Sequence, residues 1–192
     1  MSSAHRRDAA TTRAAILRAG VEAFTRFGFD GVGVREIAQA AGVSAMLVNR
    51  YFGSKEGLFA EVVEVSMTDR TVLGGDPATL ARDIAATLVR RTSPAADDLS
   101  PFLLMLRSAA NPRAAEILRE NIERHVEAHV HEVAPDTRGT DRAAVALALI
   151  AGFWLLRKVI GSSALNETDE KTVEATLTRL FEVLLPGPAS RG

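Results

Sequence analysis

The chain has 192 residues, 47% hydrophobic and 24% charged, with 14 Gly, 7 Pro and no Cys. That composition excludes a collagen-like or low-complexity polymer and allows a buried core. It also excludes a disulfide framework, a thiolate metal site and a cysteine nucleophile, which fits a reducing compartment such as the cytoplasm. The net charge is −1, yet residues 1–55 hold eight Lys or Arg against four acids (+4) while the remainder is −5. A basic head on an acidic body is the first functional hint. Met1 to Thr12 is polar, which argues against a secretory signal peptide. The longest apolar run, Ala143 to Leu156, is 14 residues, short of the about 20 that span a membrane, and reads as a buried core or interface helix.

In chain order, nearly every segment repeats its apolar residues at helical spacing, and none alternates as a half-buried strand does. The first helix is predicted over Thr11–Phe27, ended by Gly28 and Asp30-Gly31. Arg6, Arg7 and Arg13 form either an arm along a nucleic-acid backbone or a frayed tail, and the tail is preferred. Short helices are predicted at Val34–Ala41 and at Ala45–Phe52, the second capped by Ser44. Ser54 then caps a long one, Lys55–Thr71, with Leu58, Val62 and Val65 inward. Gly74-Gly75-Asp76-Pro77 is the strongest mid-chain punctuation and separates a head, residues 10–70, from a body, residues 75–187. Further helices are predicted at Ala78–Arg91, Leu99–Ala110, Pro112–Val133, Asp141–Ile160 and Thr168–Leu185. The fold class is all-α, with about nine helices.

The segment Arg35 to Phe52 has the make-up of a helix-turn-helix. Gly42 makes the turn, Val43 plugs it and Ser44 opens the second helix, while Ile37, Ala38, Val43 and Val48 can form a small core. In that design the second helix lies in a DNA major groove and its early residues meet base edges. Two short packed helices with no DNA role have the same pattern, and the spacing leaves both readings open.

Asn49-Arg50-Tyr51-Phe52-Gly53-Ser54-Lys55-Glu56-Gly57-Leu58-Phe59 resembles the signature of TetR/AcrR-type transcriptional regulators. Ile37-Ala38, Ala41-Gly42-Val43-Ser44 and the Ile16, Phe24, Gly28 pattern of the first helix extend the likeness over about residues 10–70. The resemblance implies a three-helix DNA-binding domain followed by a larger helical ligand-binding and dimerisation domain. It implies a homodimer on a double-stranded DNA operator, through the last two long helices. It also implies a regulator, most often a repressor, released by a small-molecule effector. Arg35, Tyr51 and Lys55 then stand at phosphate-contacting positions, Lys55 at a helix N-terminus. Ser44, Ala45, Met46 and Leu47 open the recognition helix, with Asn49 and Arg50 next. Three positions depart from the family pattern. Gly33 stands where Thr or Ser usually caps and touches a phosphate, and Met46 and Asn49 replace Gly and Tyr. Met46 suits a thymine methyl, and Asn49 an adenine or a phosphate.

In the body, Asp141–Ile160 is apolar nearly all round, and Val173, Leu177, Leu180, Phe181 and Leu184 form a stripe on the last helix. Ala144, Ala148, Ala151 and Gly152 permit close approach of a partner, with a purely intramolecular core as the alternative. Phe102, Met105, Leu106 and Trp154 are candidate walls of an effector pocket, and Arg107 and Arg157 its polar anchors. His125, His129 and His131 share helical spacing, but no further ligand can be placed, so no metal and no cofactor is expected. An enzyme is disfavoured because phosphate-loop, H-E-x-x-H and G-x-S-x-G motifs are absent. A helical interaction module without DNA binding is the remaining competitor.

Overall fold

The computed structural model describes residues 2–68, 78–93, 96, 101–133 and 138–185, with side chains described over 8–67, 78–93, 96, 101–125 and 141–185. Among the described residues the regular structure is entirely helical: ten α-helices and one π-helical turn. They are α1 (Ser2–Phe27), α2 (Val34–Ala40), α3 (Ala45–Phe52), α4 (Lys55–Thr68), α5 (Leu80–Thr92), α6 (Pro101–Ser108) and α7 (Pro112–Val133). After these come α8 (Arg138–Trp154), the π turn (Leu155–Val159), α9 (Ser163–Asn166) and α10 (Glu170–Leu184).

Four features differ from the sequence expectation. The helix α1 begins at Ser2 rather than Thr11, so the backbone of the tail preferred as frayed is helical. Residues 2–10 contain neither Gly nor Pro to stop it. Val65 is 38% exposed rather than buried. Phe59 and Val63 are fully buried beside Leu58 and Val62, so the inward stripe of α4 is centred away from Val65. The expected Asp141–Ile160 helix turns π-helical at Leu155, and α9 is an additional short helix.

The chain separates into two compact units that do not follow its linear order. The first combines residues 1–70 with 99–122, and the second combines 71–98 with 123–192. The linear division expected at Gly74–Pro77 falls outside the described residues, and α6 with the first half of α7 belongs to the head unit.

In the first unit, α1 packs against α2, α4 and α6. Its centre is aromatic. Phe59 meets Phe24 and Phe29 edge-on, with ring centroids 5.1 Å and 5.0 Å apart. Such pairs contribute about 0.5–1.5 kcal/mol each beyond the area they bury. At Gly28, α1 ends with φ +70, and an added Cβ would overlap the Arg107 carbonyl of α6. Only glycine meets both demands. Three hydrogen bonds hold the α6–α7 corner to the end of α1. Arg107 Nη1 donates to the Thr25 carbonyl at 2.5 Å, the Phe29 N–H to Ser108 Oγ at 3.1 Å, and Asn111 Nδ2 to Asp30 Oδ1 at 2.8 Å.

In the second unit, α10 lies along α5 and also packs on α8. Val173, Leu177 and Phe181 form the buried stripe of α10, whereas Leu180 is exposed. Arg157, on the π turn, is 2% exposed. Its Nη1 donates to the Val89 carbonyl at 3.0 Å and to Thr92 Oγ1 at 3.3 Å, and its Nη2 to Glu170 at 2.9 Å. The neighbouring Lys158 donates to the carbonyls of Ser93 and Ala96 at 2.9 and 2.6 Å. Two cations thus close the C-terminal end of α5, where carbonyls without helical partners gather negative potential.

Candidate nucleic-acid interface

The turn between α2 and α3 follows from its residues. Gly42 has φ +69, the left-handed conformation that favours glycine. The Val43 N–H reaches the Ala38 carbonyl at 2.9 Å and the Gly42 N–H the Gln39 carbonyl at 3.1 Å. That pair of bonds is a Schellman closure. Val43 packs against the core that holds Ile37, Ala38 and Val48. The turn is therefore closed by backbone bonds and plugged by an apolar side chain, which fixes the crossing of the two helices.

Ser44, with extended backbone (φ −83, ψ 150), accepts the Leu47 N–H at 3.3 Å and opens α3. Val48 and Phe52 turn inward and are buried. A helix buried on Val48 and Phe52 presents Met46, Asn49 and Arg50 on its opposite side. All three are exposed, Met46 by 80%. Ala45 and Leu47 are half-buried at the flanks of this face. No acidic residue occurs in α3.

The other residues singled out from the sequence lie on α2, at the end of α3 and at the start of α4. Arg35 is exposed on α2. Tyr51 is half-buried and packs against the core, its ring 6.3 Å from that of Phe52. Lys55 is half-buried at the first position of α4, with Nζ 4.5 Å over the Phe29 ring. Ser54 Oγ accepts the Gly57 N–H at 3.2 Å, capping α4 as expected. Bonding from Ser54, then from its own backbone N–H, holds the Glu56 carboxyl below the usual carboxylate range. Gly33 caps α2 without a side chain, and its N–H donates to Glu36 Oε2 at 2.7 Å. This is the returning half of a capping box.

The residues expected to bind an effector fall into both units. Phe102, Met105, Leu106 and Arg107 are on α6, Met105 against the head core and Arg107 bonded to Thr25. Trp154 and Arg157 are buried in the second unit, with the Arg157 guanidinium 5.8 Å from the Phe153 ring. The structure thus gives both arginines internal partners, and among the described residues Arg157 Nε has none. The side chains of His129 and His131 lie outside the described residues, and the described ones contain no group of three or more His, Cys, Asp or Glu placed to hold a metal.

Sequence reasoning missed the roles of four residues, Glu36, Arg13, Ser108 and Asn111. Glu36 supports Gly33, and the x-x-Glu spacing after the cap was a readable signal. Arg13 pairs with Glu61 and lies 5.2 Å over the Phe52 ring. Ser108 and Asn111 bind the loop after α1 and carry no local signal.

Two family models match the chain. One, described as bacterial regulatory proteins of the tetR family, covers residues 16–62, and another, a tetracyclin repressor-like C-terminal domain, covers residues 78–185. The HTH-type transcriptional regulatory protein RaaS of Mycobacterium tuberculosis is 62% identical over 48 residues, 25% of this chain and 22% of that protein. The HTH-type transcriptional regulator BetI of Burkholderia cenocepacia is 25% identical over 161 residues, 78% of this chain and 83% of that protein. Among the first relatives, then, the match to RaaS spans about a fifth of that protein's length. Among solved structures, NalD, the secondary repressor of a multidrug efflux pump in Pseudomonas aeruginosa, shares the fold with TM-score 0.62 and 21% identity, covering 96% of this chain and 100% of that one. With both models matched in order over an all-helical fold built on a helix-turn-helix, the chain belongs to the TetR family of bacterial transcriptional regulators.

Proposed function

We propose that this chain is a sequence-specific DNA-binding repressor that acts as a homodimer in the cytoplasm, performs no catalysis, and leaves its operator when a small-molecule effector binds. The observation that carries the reading is the outward face of α3. Met46, Asn49 and Arg50 are exposed together on a helix fixed by the Gly42 turn and the Ser44 cap. In the docked state Ala45, Met46, Leu47, Asn49 and Arg50 approach base edges, and Arg35, Ser44, Tyr51 and Lys55 hold phosphates. The net +4 of residues 1–55 supports attraction to the duplex. Among the described residues, no helix is long and apolar enough to cross a membrane.

For the effector, the reading favours the second unit. Among the described residues the buried Nε of Arg157 is a donor without a partner, and its guanidinium lies 5.8 Å from the Phe153 ring. A polar group left unsatisfied in an apolar setting is costly, and a ligand acceptor relieves that cost. Phe102, Met105, Leu106 and Arg107 are the candidates in the head unit. The test is a mobility shift with the full chain on duplex fragments from upstream of its own coding sequence, at several salt concentrations. The expected result is fragment-specific binding that weakens steeply with salt. Absence of binding on every fragment and on a randomised duplex pool overturns the reading in favour of a helical interaction module.

A further inference from the structure

We infer that Met46 is a specificity-determining residue that selects thymine by its 5-methyl group. The inference rests on the DNA-binding reading above and deepens it. At 80%, Met46 has the highest fractional exposure of the exposed large apolar residues described. It lies in the first turn of α3, held by the Ser44 cap, and faces away from the buried Val48 and Phe52. No core claims its side chain, and it cannot serve a phosphate, because a thioether carries no charge and no N–H or O–H donor. In a major groove the feature that an unbranched apolar side chain can recognise is the thymine methyl. A methionine also has the flexibility to reach it.

Its neighbours sharpen the assignment. Asn49 and Arg50 stand three and four residues on, so the three side chains form one patch on the helix surface. The Asn49 carboxamide matches adenine N6 and N7, and in an A·T pair that edge lies beside the thymine methyl. A half-site with an A·T pair opposite the Met46–Asn49 part of the patch satisfies both side chains. With Gly at the position of Met46 this apolar contact would not exist.

The experiment uses the full chain and the duplex that it enriches from a randomised pool. Each thymine is replaced in turn by deoxyuridine, which removes only the methyl, and affinity is read by fluorescence anisotropy at fixed salt. One thymine per half-site is expected to be sensitive, with affinity falling about fourfold, as for loss of one buried methyl-sized group. Met46→Ala is expected to erase that sensitivity while leaving the circular dichroism spectrum unchanged, since Met46 is exposed. An enriched duplex indifferent to every deoxyuridine overturns the inference and leaves the DNA-binding reading standing. So does a sensitivity that survives Met46→Ala. Failure to enrich any duplex overturns both.

Discussion

The backbone N–H of Phe29 donates to the hydroxyl of Ser108 at 3.1 Å, a buried bond between residues 79 positions apart. It joins the loop that follows α1 to the last residue of α6, next to the Arg107–Thr25 and Asn111–Asp30 bonds. Helix α1 and the loop after it are therefore packed against a segment that the sequence assigns to the body.

Ser108→Ala leaves the Phe29 N–H buried without its acceptor and is expected to cost about 1–3 kcal/mol. The change should lower the urea midpoint without altering its slope. Asp30→Ala removes only an exposed side-chain bond and is expected to cost under about 1 kcal/mol. Equal losses from the two variants contradict the buried anchor.

The local part of this site was legible in the sequence, and the long-range part was not. Gly42, Val43, Ser44 and Ser54 act within five residues of themselves, so the turn and both caps could be read from residue type and spacing. The Ser108 anchor is made by residues with no periodic or capping signature, and only the folded chain brings them together. The π turn escaped for a related reason. Leu155–Val159 continues a helical apolar pattern, and what distinguishes it is the placement of Arg157 and Lys158 on the end of α5, a tertiary event. The outward side of Met46 was legible as well, because reading Val48 as core places a residue two positions before it on the other side of α3.

Lys55 has two tasks under the proposed function, a phosphate contact and a cation–π contact with Phe29. Lys55→Met keeps the aliphatic stem but loses the charge. It is expected to lower stability by about 0.5–1 kcal/mol and to weaken DNA binding together with a salt slope shallower by about 1 per lost phosphate contact. Arg50→Ala, at an exposed residue, should weaken binding with no change in stability. Unchanged operator affinity in either variant, measured by titration across salt concentrations, removes that residue from the interface.

Gly33 is a different kind of position. Its φ of −99 and ψ of 160 suit any residue, and an added Cβ would meet only the flexible Glu36 carboxylate, at 3.3 Å. Gly33→Ser therefore supplies the missing side-chain cap and is expected to stabilise the chain by a few tenths of a kcal/mol, about the difference between Ser and Gly caps. The same hydroxyl adds a donor toward phosphate, so operator affinity should rise. A fall in thermal midpoint or in affinity contradicts the open geometry at this cap.

Arg157 is buried while its carboxylate partner Glu170 is more than half exposed. Glu170→Gln retains a hydrogen-bond acceptor but removes the countercharge. Exchanging a charged acceptor for a neutral one is expected to cost about 1 kcal/mol or less, because solvent screens the exposed Glu170. Arg157→Met should cost more than Glu170→Gln, because it also removes one donor to the Val89 carbonyl and one to Thr92 Oγ1. The reverse order in urea denaturation contradicts the clamp on α5.

The second unit leaves apolar side chains in water along two helices and the π turn between them. Val145 on α8, Leu156 and Val159 on the π turn, Ile160 after it, and Leu180 and Val183 on α10 are exposed, Val183 by 74%. Val145 and Leu156 are 11 residues apart, close to three helical turns, and so lie near one line. Leu180 and Val183 are neighbours on the surface of α10. Single exposed apolar residues are ordinary, whereas a contiguous apolar patch is the kind of surface that a partner protein covers. Under the proposed function that partner is a second copy, and a two-fold pair would bring Val183 of each copy into the same buried patch. Val183→Glu then places two like charges there and should convert the dimer to monomer in sedimentation velocity, with operator binding lost. Because Val183 is exposed in the single chain, the variant should keep its helical content. A Val183→Glu protein that still sediments as a dimer moves the interface away from α10.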